Sequence, residues 1–359
     1  MTVKGFTKLY SSSEVTLKDL KNQVLAVDAS LELYRAALGM DSVRGLTDLS
    51  GKPTLHISVI LANLIKYKKN SIDTIWVFDF DPEKLKNSEC HNPLKLKELQ
   101  IRRNKRESAK KKIKKLQKEV SDSDSDLFSE TDSDEDEKIP KSDKKKEMQK
   151  KEIQKQEKIA FTLQSWMVND IKLILNLFDI KWVEAPKGVE AECLAARLTH
   201  HDVAEADAVL STDADALLFG ASTLIKKNSR TKKYERFYLD EILSKNKITQ
   251  EQLIQSGIVL GTDMYKDKEK KLFYRIGPKT VLSKIKSGSL KEKFQDSEVK
   301  NAIKHFQELC CVDGLEWHND NDEAFSNKKK AQDLLEWLVK EKNFNHARTK
   351  KQICKVIKI

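Results

Sequence analysis

Short β-branched apolar runs alternate with longer stretches of helical spacing, and this alternation narrows the fold more than any other feature. The runs are Val24-Leu25-Ala26-Val27, Thr74-Ile75-Trp76-Val77-Phe78, Ala208-Val209-Leu210 and Ser222-Thr223-Leu224-Ile225. Each is too short for a helix and lacks polar alternation, so each predicts a strand buried on both faces. Lys181-Trp182-Val183-Glu184 is a weaker fifth. Leu55 to Lys69, Phe161 to Phe178 and Val189 to Leu198 carry apolar residues at helical spacing. Strands alternating with helices predict an α/β fold with a twisted, mostly parallel sheet.

Residues 94–118 and 138–158 are rich in Lys and Arg, with sparse apolar positions at Leu94, Leu96, Leu99, Ile101, Ile113 and Leu116. They predict two basic helical arms, read either as solvated charged helices or as contacts to a partner. Between them, 121–137 reads SDSDSDLFSETDSDEDE, with nine acidic residues and no basic one. Such a run buries too little apolar surface to offset its ordering entropy, so 119–140 is expected to be a disordered linker. The formal net charge is +11, and +20 without the acidic run. A surplus of that size favours a polyanionic partner. From Ile248 onward the pattern is helical, and Ala331 to Lys342 is the last amphipathic stretch.

The five cysteines form no CxxC pair, which argues against a zinc site or a disulfide framework. The start lacks an apolar signal core, and no apolar run approaches the roughly 20 residues that cross a bilayer. The chain is expected to be soluble, intracellular and without a membrane partner. His200-His201 reads as a surface pair. KKNSRTKK, from Lys226 to Lys233, reads as a phosphate-contacting loop, a nuclear-import signal or a plain surface loop.

Acidic residues fall at the strand ends. Asp28 closes the first run and Asp79 the second. Asp213 and Asp215 follow the third. Glu190 and Glu192 follow Lys181 to Ala185 and open a helix. In open α/β sheets, ligands bind beyond the carboxyl ends of the strands, so four segments would bring carboxylates into one space. Singly, each acid is as well explained as a turn former or a helix cap. Together they need compensation for packed like charge. Hard oxygen ligands suit Mg²⁺ or Mn²⁺. Two such ions about 3.5–4 Å apart clamp the attacking and leaving oxygens of an in-line phosphoryl displacement, with no side-chain nucleophile.

At these residues the chain resembles the flap-endonuclease/XPG nucleases over nearly its full length. Val3 to Leu9 (VKGFTKL) is similar to the family's opening. Val27-Asp28-Ala29-Ser30 with Tyr34, Val77-Phe78-Asp79, and Glu190-Ala191-Glu192 match its first three motifs. Ser211-Thr212-Asp213-Ala214-Asp215-Ala216-Leu217-Leu218-Phe219-Gly220 is the most specific match. Leu260-Gly261-Thr262-Asp263 resembles the fifth motif, and Ile276-Gly277-Pro278-Lys279-Thr280 the helix–two-turn–helix.

The resemblance implies roles. Asp28, Asp79, Glu190 and Glu192 hold one Mg²⁺ or Mn²⁺; Glu192, Asp213, Asp215 and, through water, Asp263 hold a second. Lys86 and Arg102 contact the scissile phosphate from a helical gateway. Tyr34 stacks on a base beside the scissile bond, although it also reads as ordinary core. Gly277 and Lys279 belong to the duplex-gripping turn, where a K⁺ binds. The chain departs from the family at Thr2 and at Arg275, both standing where the family has Gly. Lys187 and Gly188 lengthen the third motif. The segment from Asp79 to Glu190 is longer than in the flap enzymes, and no Q-x-x-[ILM]-x-x-[FY]-[FY] sliding-clamp box follows the core.

The resemblance thus implies a PIN-like 5′-nuclease core in four regions. These are an N-terminal nuclease region 1–89, a basic helical arch 90–160, an internal nuclease region 161–264, and a helix–two-turn–helix with C-terminal helices over 265–359. It implies cleavage of DNA with a 5′ flap, bubble or junction, by a monomer, in the nucleus or at a viral replication site. An XPG-like bubble nuclease, a 5′→3′ exonuclease and a junction resolvase are alternatives within the family. A non-catalytic DNA-binding scaffold and an RNA-cleaving relative are rivals outside it.

Overall fold

The computed structural model describes residues 5–6, 9–38, 46–79, 93–125, 141–228, 231, 233–262, 264–265, 270–308, 310–319 and 328–356. Their strands form one sheet in the order β1-β7-β6-β5-β2-β3-β4-β8. The strands are β1 (Ser13–Val15), β2 (Val24–Asp28), β3 (Asp73–Phe78), β4 (Trp182–Glu184), β5 (Ala208–Leu210), β6 (Thr223–Lys227), β7 (Tyr234–Tyr238) and β8 (Trp317–His318). From β6 to β4 all pairs are parallel. The rims are antiparallel, with β7 and β1 on one side and β8 on the other.

The five parallel strands contain the apolar runs, because strands covered on both sides carry apolar residues at successive positions. In β2, Ala26 faces one core while Leu25 and Val27 face the other. The expected Lys181–Glu184 and Ser222–Ile225 strands are β4 and β6, shifted by a residue or two. The rim strands escaped the sequence reading. Their sequences, SEV, YERFY and WH, mix polar and apolar residues, unlike the strands at the doubly covered centre of the sheet.

Thirteen α-helices are described: α1 (Ala29–Leu38), α2 (Leu55–Lys69), α3 (Pro93–Ser125), α4 (Lys141–Ala160), α5 (Ser165–Leu177), α6 (Ala191–Arg197), α7 (Asp215–Leu218), α8 (Leu239–Asn246), α9 (Gln250–Leu260), α10 (Pro278–Lys286), α11 (Ser297–Gln307), α12 (Lys328–Lys340) and α13 (His346–Ile353). Helices α1, α2, α5 and α12 cover one face of the sheet through Leu33, Ile60, Ile174 and Leu338. Helices α6, α7, α9 and α11 cover the other through Leu194, Leu217, Ile258 and Phe306. Each such side chain contributes roughly 1.5–3 kcal/mol on burial, so both layers are needed to cover a two-sided apolar sheet.

Helix α5 starts four residues later than its apolar pattern, after the extended Gln164. Phe161 instead meets Tyr34 edge-on, with ring centroids 5.6 Å apart. His201 is exposed, whereas His200 is half-buried against Gly220. The basic arms are α3 and α4. They pack together around Ala109, and Lys112 pairs with Glu152 at 2.6 Å. Helix α3 continues to Ser125, so residues 119–125 of the expected linker are helical. Propagating a helix already nucleated costs less than starting one. The rest of the linker lies outside the described residues. Among the described residues, no helix is long and apolar enough to cross a membrane.

Candidate active site

The strand order places the site. From β2 the chain moves outward through β3 and β4, then returns to the other side of β2 for β5 and β6. The direction therefore reverses between β2 and β5. A crevice opens at such a reversal, outside the carboxyl ends of the strands. Asp28 ends β2 and Asp213 follows β5, one on each side of it.

Local hydrogen bonds fix the acids. Leu31 N–H donates to Asp28 Oδ1 at 2.9 Å, so Asp28 caps the first turn of α1. Asp79 follows β3 and accepts from Ala191 N–H at 3.0 Å, at the start of α6. Glu190 precedes that helix with an extended backbone, and Glu192 is in its first turn. Asp213 N–H donates to Ser211 Oγ at 3.0 Å, and Asp213 Oδ1 accepts from Asp215 N–H at 3.4 Å. Asp213 and Asp215 are buried, with 7% and 6% of their surface exposed. The cap and turn roles hold, and the same carboxylates still meet.

Their electrostatics show that they form one cluster. Burial, then the neighbouring Asp79, pushes the Asp28 carboxyl up to about 8; Glu32 and Asp213 add to this, and the bond from Leu31 opposes it. Burial pushes Glu192 well above the carboxylate range, with Asp213, Asp215, Asp28 and Glu190 acting the same way. Thus Asp79 and Asp213 act on Asp28, and Asp28, Glu190, Asp213 and Asp215 act on Glu192. Glu192 Oε1 is buried and has no hydrogen-bond partner among the described residues. Among those residues, no three Asp, Glu, His or Cys side chains already close as a ligand shell around one point. An all-oxygen cluster with a bare buried carboxylate oxygen fits hard divalent cations.

The site rests on tight packing behind it. The short helix α7 ends in carbonyls that Gln250 Nε2 satisfies, donating to Leu217 O and Leu218 O at 3.0 Å each. A Cβ at Gly257 of α9 would lie 2.6 Å from Leu218 Cδ1, so α9 lies close against α7.

Comparison with known proteins places the chain in a family. The XPG N-terminal domain matches residues 1–109 and the XPG I-region residues 179–263, together more than half of the chain. The chain belongs to the flap-endonuclease/XPG family. A flap endonuclease 1 of Plasmodium chabaudi chabaudi is 28% identical over the whole chain, which spans 72% of that relative. The flap endonuclease-1 structure from Methanococcus jannaschii superposes with a TM-score of 0.69 at 22% identity, over 98% of this chain and 97% of that one. The catalytic core of Rad2, solved with a DNA substrate, superposes at 0.58 with 15% identity, over 99% of both chains.

The other residues expected from the flap-endonuclease/XPG motifs fall on α1, α3 and α10 or outside the described residues. Tyr34 is half-buried on α1; its hydroxyl reaches Lys158 O of α4 at 3.4 Å and its ring meets Phe161. Arg102 is exposed on α3. Gly277 caps α10, and its carbonyl accepts from Thr280 N–H at 3.0 Å and Val281 N–H at 3.1 Å. Lys279 is exposed in the first turn of that helix. Arg275, standing where the family has Gly, keeps a left-handed backbone with φ of 61°. Lys86 and Asp263 lie outside the described residues.

Three neighbours of the cluster escaped the sequence reading. Glu32 adds its charge to Asp28. His305 Nε2 lies 3.8 Å from Glu190 Oε1. Lys226 of β6 feels Asp213 and Asp215. No motif marks them; helix packing and strand register bring them in.

Proposed function

We propose that this chain is a structure-specific DNA endonuclease that hydrolyses phosphodiesters at 5′ flaps. What supports this reading is that four segments carry six carboxylates to the sheet's switch point, where burial and neighbouring carboxylates raise Asp28 and Glu192. Asp28, Asp79, Glu190 and Glu192 would hold one Mg²⁺ or Mn²⁺; Glu192, Asp213 and Asp215, with Asp263, would hold another. Two such cations supply a water of lowered pKa and neutralise charge on the scissile phosphate. The carboxylates orient the cations, and no side chain acts as the nucleophile.

The rest of the chain handles the DNA. Lys86 and Arg102 place positive charge at the scissile phosphate, where charge builds up during cleavage. The arch that the basic arms form admits a single-stranded 5′ end. Tyr34, at the foot of α4, stacks on the base next to the cleaved bond. Gly277 and Lys279 would grip the duplex, and their turn would be where a K⁺ is held. Residues 1–89 and 161–264 thus carry the chemistry, 90–160 form the arch, and 265–359 hold the duplex. Specificity comes from DNA shape and bending, since phosphate contacts carry no sequence information. The names of the relatives agree: one is a flap endonuclease, and Rad2 was solved on DNA. A DNA-containing compartment, the nucleus in a eukaryote, fits this role.

Matched 5′ flaps, bubbles, nicks, four-way junctions and RNA flaps test the reading in Mg²⁺ and in EDTA. Cleavage of the DNA flap in Mg²⁺ alone is expected. Asp215→Asn should slow single-turnover cleavage by at least about 10²-fold with DNA binding retained. Full cleavage in EDTA, or unchanged turnover by Asp215→Asn, would remove the metal assignment.

A further inference from the structure

The turn that leads into α10 holds an exposed arginine in a strained backbone. Lys271 and Arg275 are both left-handed, with φ of 51° and 61°. That conformation is unfavourable for a residue with a Cβ, and it persists only where the surroundings fix it. Here they do. Phe273 is buried against Tyr265 and Phe294, with ring centroids 6.0 and 5.6 Å away. Lys293 Nζ donates to Leu272 O at 2.5 Å, and Ile276 N–H donates to Phe273 O at 3.1 Å. The two residues after Phe273 remain at the surface. Tyr274 is 64% exposed, and the Arg275 guanidinium lies 5.1 Å from the centre of its ring. Among the described residues no carboxylate pairs with Arg275. Neither side chain serves the core, so packing accounts for neither the exposed ring nor the strained arginine. Lys279, also exposed, follows in the first turn of α10.

We propose that Tyr274 and Arg275 form a preformed clamp for a phosphate of the DNA duplex, in which the ring holds the guanidinium so that its N–H fork meets two phosphate oxygens. The inference rests on the proposed role of this turn, with Gly277 and Lys279, in gripping the duplex. A guanidinium carries its donors in one plane, and that plane matches a phosphate bidentately. A free arginine side chain loses rotamer freedom when it makes such a contact. Stacking on Tyr274 removes part of that freedom before DNA arrives, so less is lost on binding. Where the family has Gly, the turn offers a phosphate only backbone; in this chain the same position adds a charge and an aromatic support beside it.

The test measures equilibrium binding of the full chain, in EDTA and at several salt concentrations, to a 5′-flap DNA and to a single strand of the same sequence. Arg275→Gln should bind the flap about tenfold more weakly and lower the salt slope by about one charge. Arg275→Lys and Tyr274→Leu should keep the slope and lose roughly three- to fivefold, because the charge remains without an ordered fork. The variant carrying both Arg275→Gln and Tyr274→Leu should bind no more weakly than Arg275→Gln, since the ring acts through the guanidinium. Thermal midpoints should stay at the wild-type value, because both side chains are exposed. All variants should bind the single strand as wild type does. An unchanged slope for Arg275→Gln overturns the proposal, as do additive losses in the double variant or equal losses on the single strand. A wild-type chain that neither binds the flap nor cleaves it in Mg²⁺ removes the proposed function and this inference with it. Flap cleavage by wild type, with variants that bind as tightly, removes this inference alone.

Discussion

Stripping divalent metal from the protein should make its stability fall as pH rises, and Asp28 sets the slope. In an unfolded chain an aspartate titrates near 3.9. In the fold, burial and the neighbouring Asp79 raise Asp28 to about 8. Between these values the folded chain keeps a proton that the unfolded chain has released. Stability then decreases with pH by at most about 1.4 kcal/mol per unit for each such carboxyl. From pH 6.5 to 8 the ceiling for Asp28 is about 2 kcal/mol. Part of its side chain meets solvent, so about 1 kcal/mol is the better expectation. Glu192, raised by burial and by Asp213, adds a loss of the same sign. At roughly 2–4 °C per kcal/mol for large domains, the midpoint should fall by several degrees. Differential scanning fluorimetry in EDTA across this range measures it, beside the same series in Mn²⁺. The metal neutralises the cluster without protons, so its series should be nearly flat and the gap between the two should widen toward pH 8. Asp28→Asn should reduce the slope in EDTA and leave the part that Glu192 adds. A wild-type midpoint that holds or rises with pH in EDTA, with a constant gap to the Mn²⁺ series, would refute the reasoning.

Gln250→Leu should cost about 1–3 kcal/mol, because the Leu218 carbonyl loses its side-chain donor while Leu217 O keeps Gly220 N–H. Chemical denaturation reads the loss, and slower cleavage should accompany it, since α7 carries Asp215. Gly5→Ala should destabilise by roughly 1–3 kcal/mol, because Gly5 has φ of 77° and a Cβ there would lie 2.6 Å from Pro278 Cγ; a thermal melt within a degree of wild type would count against that packing. Arg275→Gly should stabilise the fold by up to about 1 kcal/mol by relieving the left-handed arginine. Duplex affinity, titrated at two salt concentrations, should fall by the equivalent of one charge.

The parallel strands were legible because burial on both faces leaves unbroken apolar runs, as in Ala208-Val209-Leu210. Helix α2 was legible to the residue, since Leu55 to Lys69 carries helical spacing throughout. Strand β7 was not legible, because YERFY at a rim serves two environments and follows neither pattern. The aspartates and glutamates of the site could be read because a topological rule sends strand ends to one place. Lys226 could not. In the sequence it opens a run that looks like a solvated loop, whereas the fold gives it to β6.

The same topology explains where the arms are inserted. The connection from β3 to β4 must cross over the sheet, and any length added just after β3 emerges at the carboxyl ends of the strands. Helices α3 and α4 occupy that connection, leaving after Asp79 and returning through Phe161 beside Tyr34. Their basic surface therefore rises from the edge of the acidic cluster. The net negative charge of the cluster would by itself repel a phosphate backbone. Under the proposed function, divalent cations held by the cluster would answer that repulsion at the scissile phosphate, and lysines on the arms along the approaching strand. Loss of one lysine from an arm should therefore weaken binding and its salt dependence while the chemical step is preserved, whereas loss of a carboxylate should do the reverse.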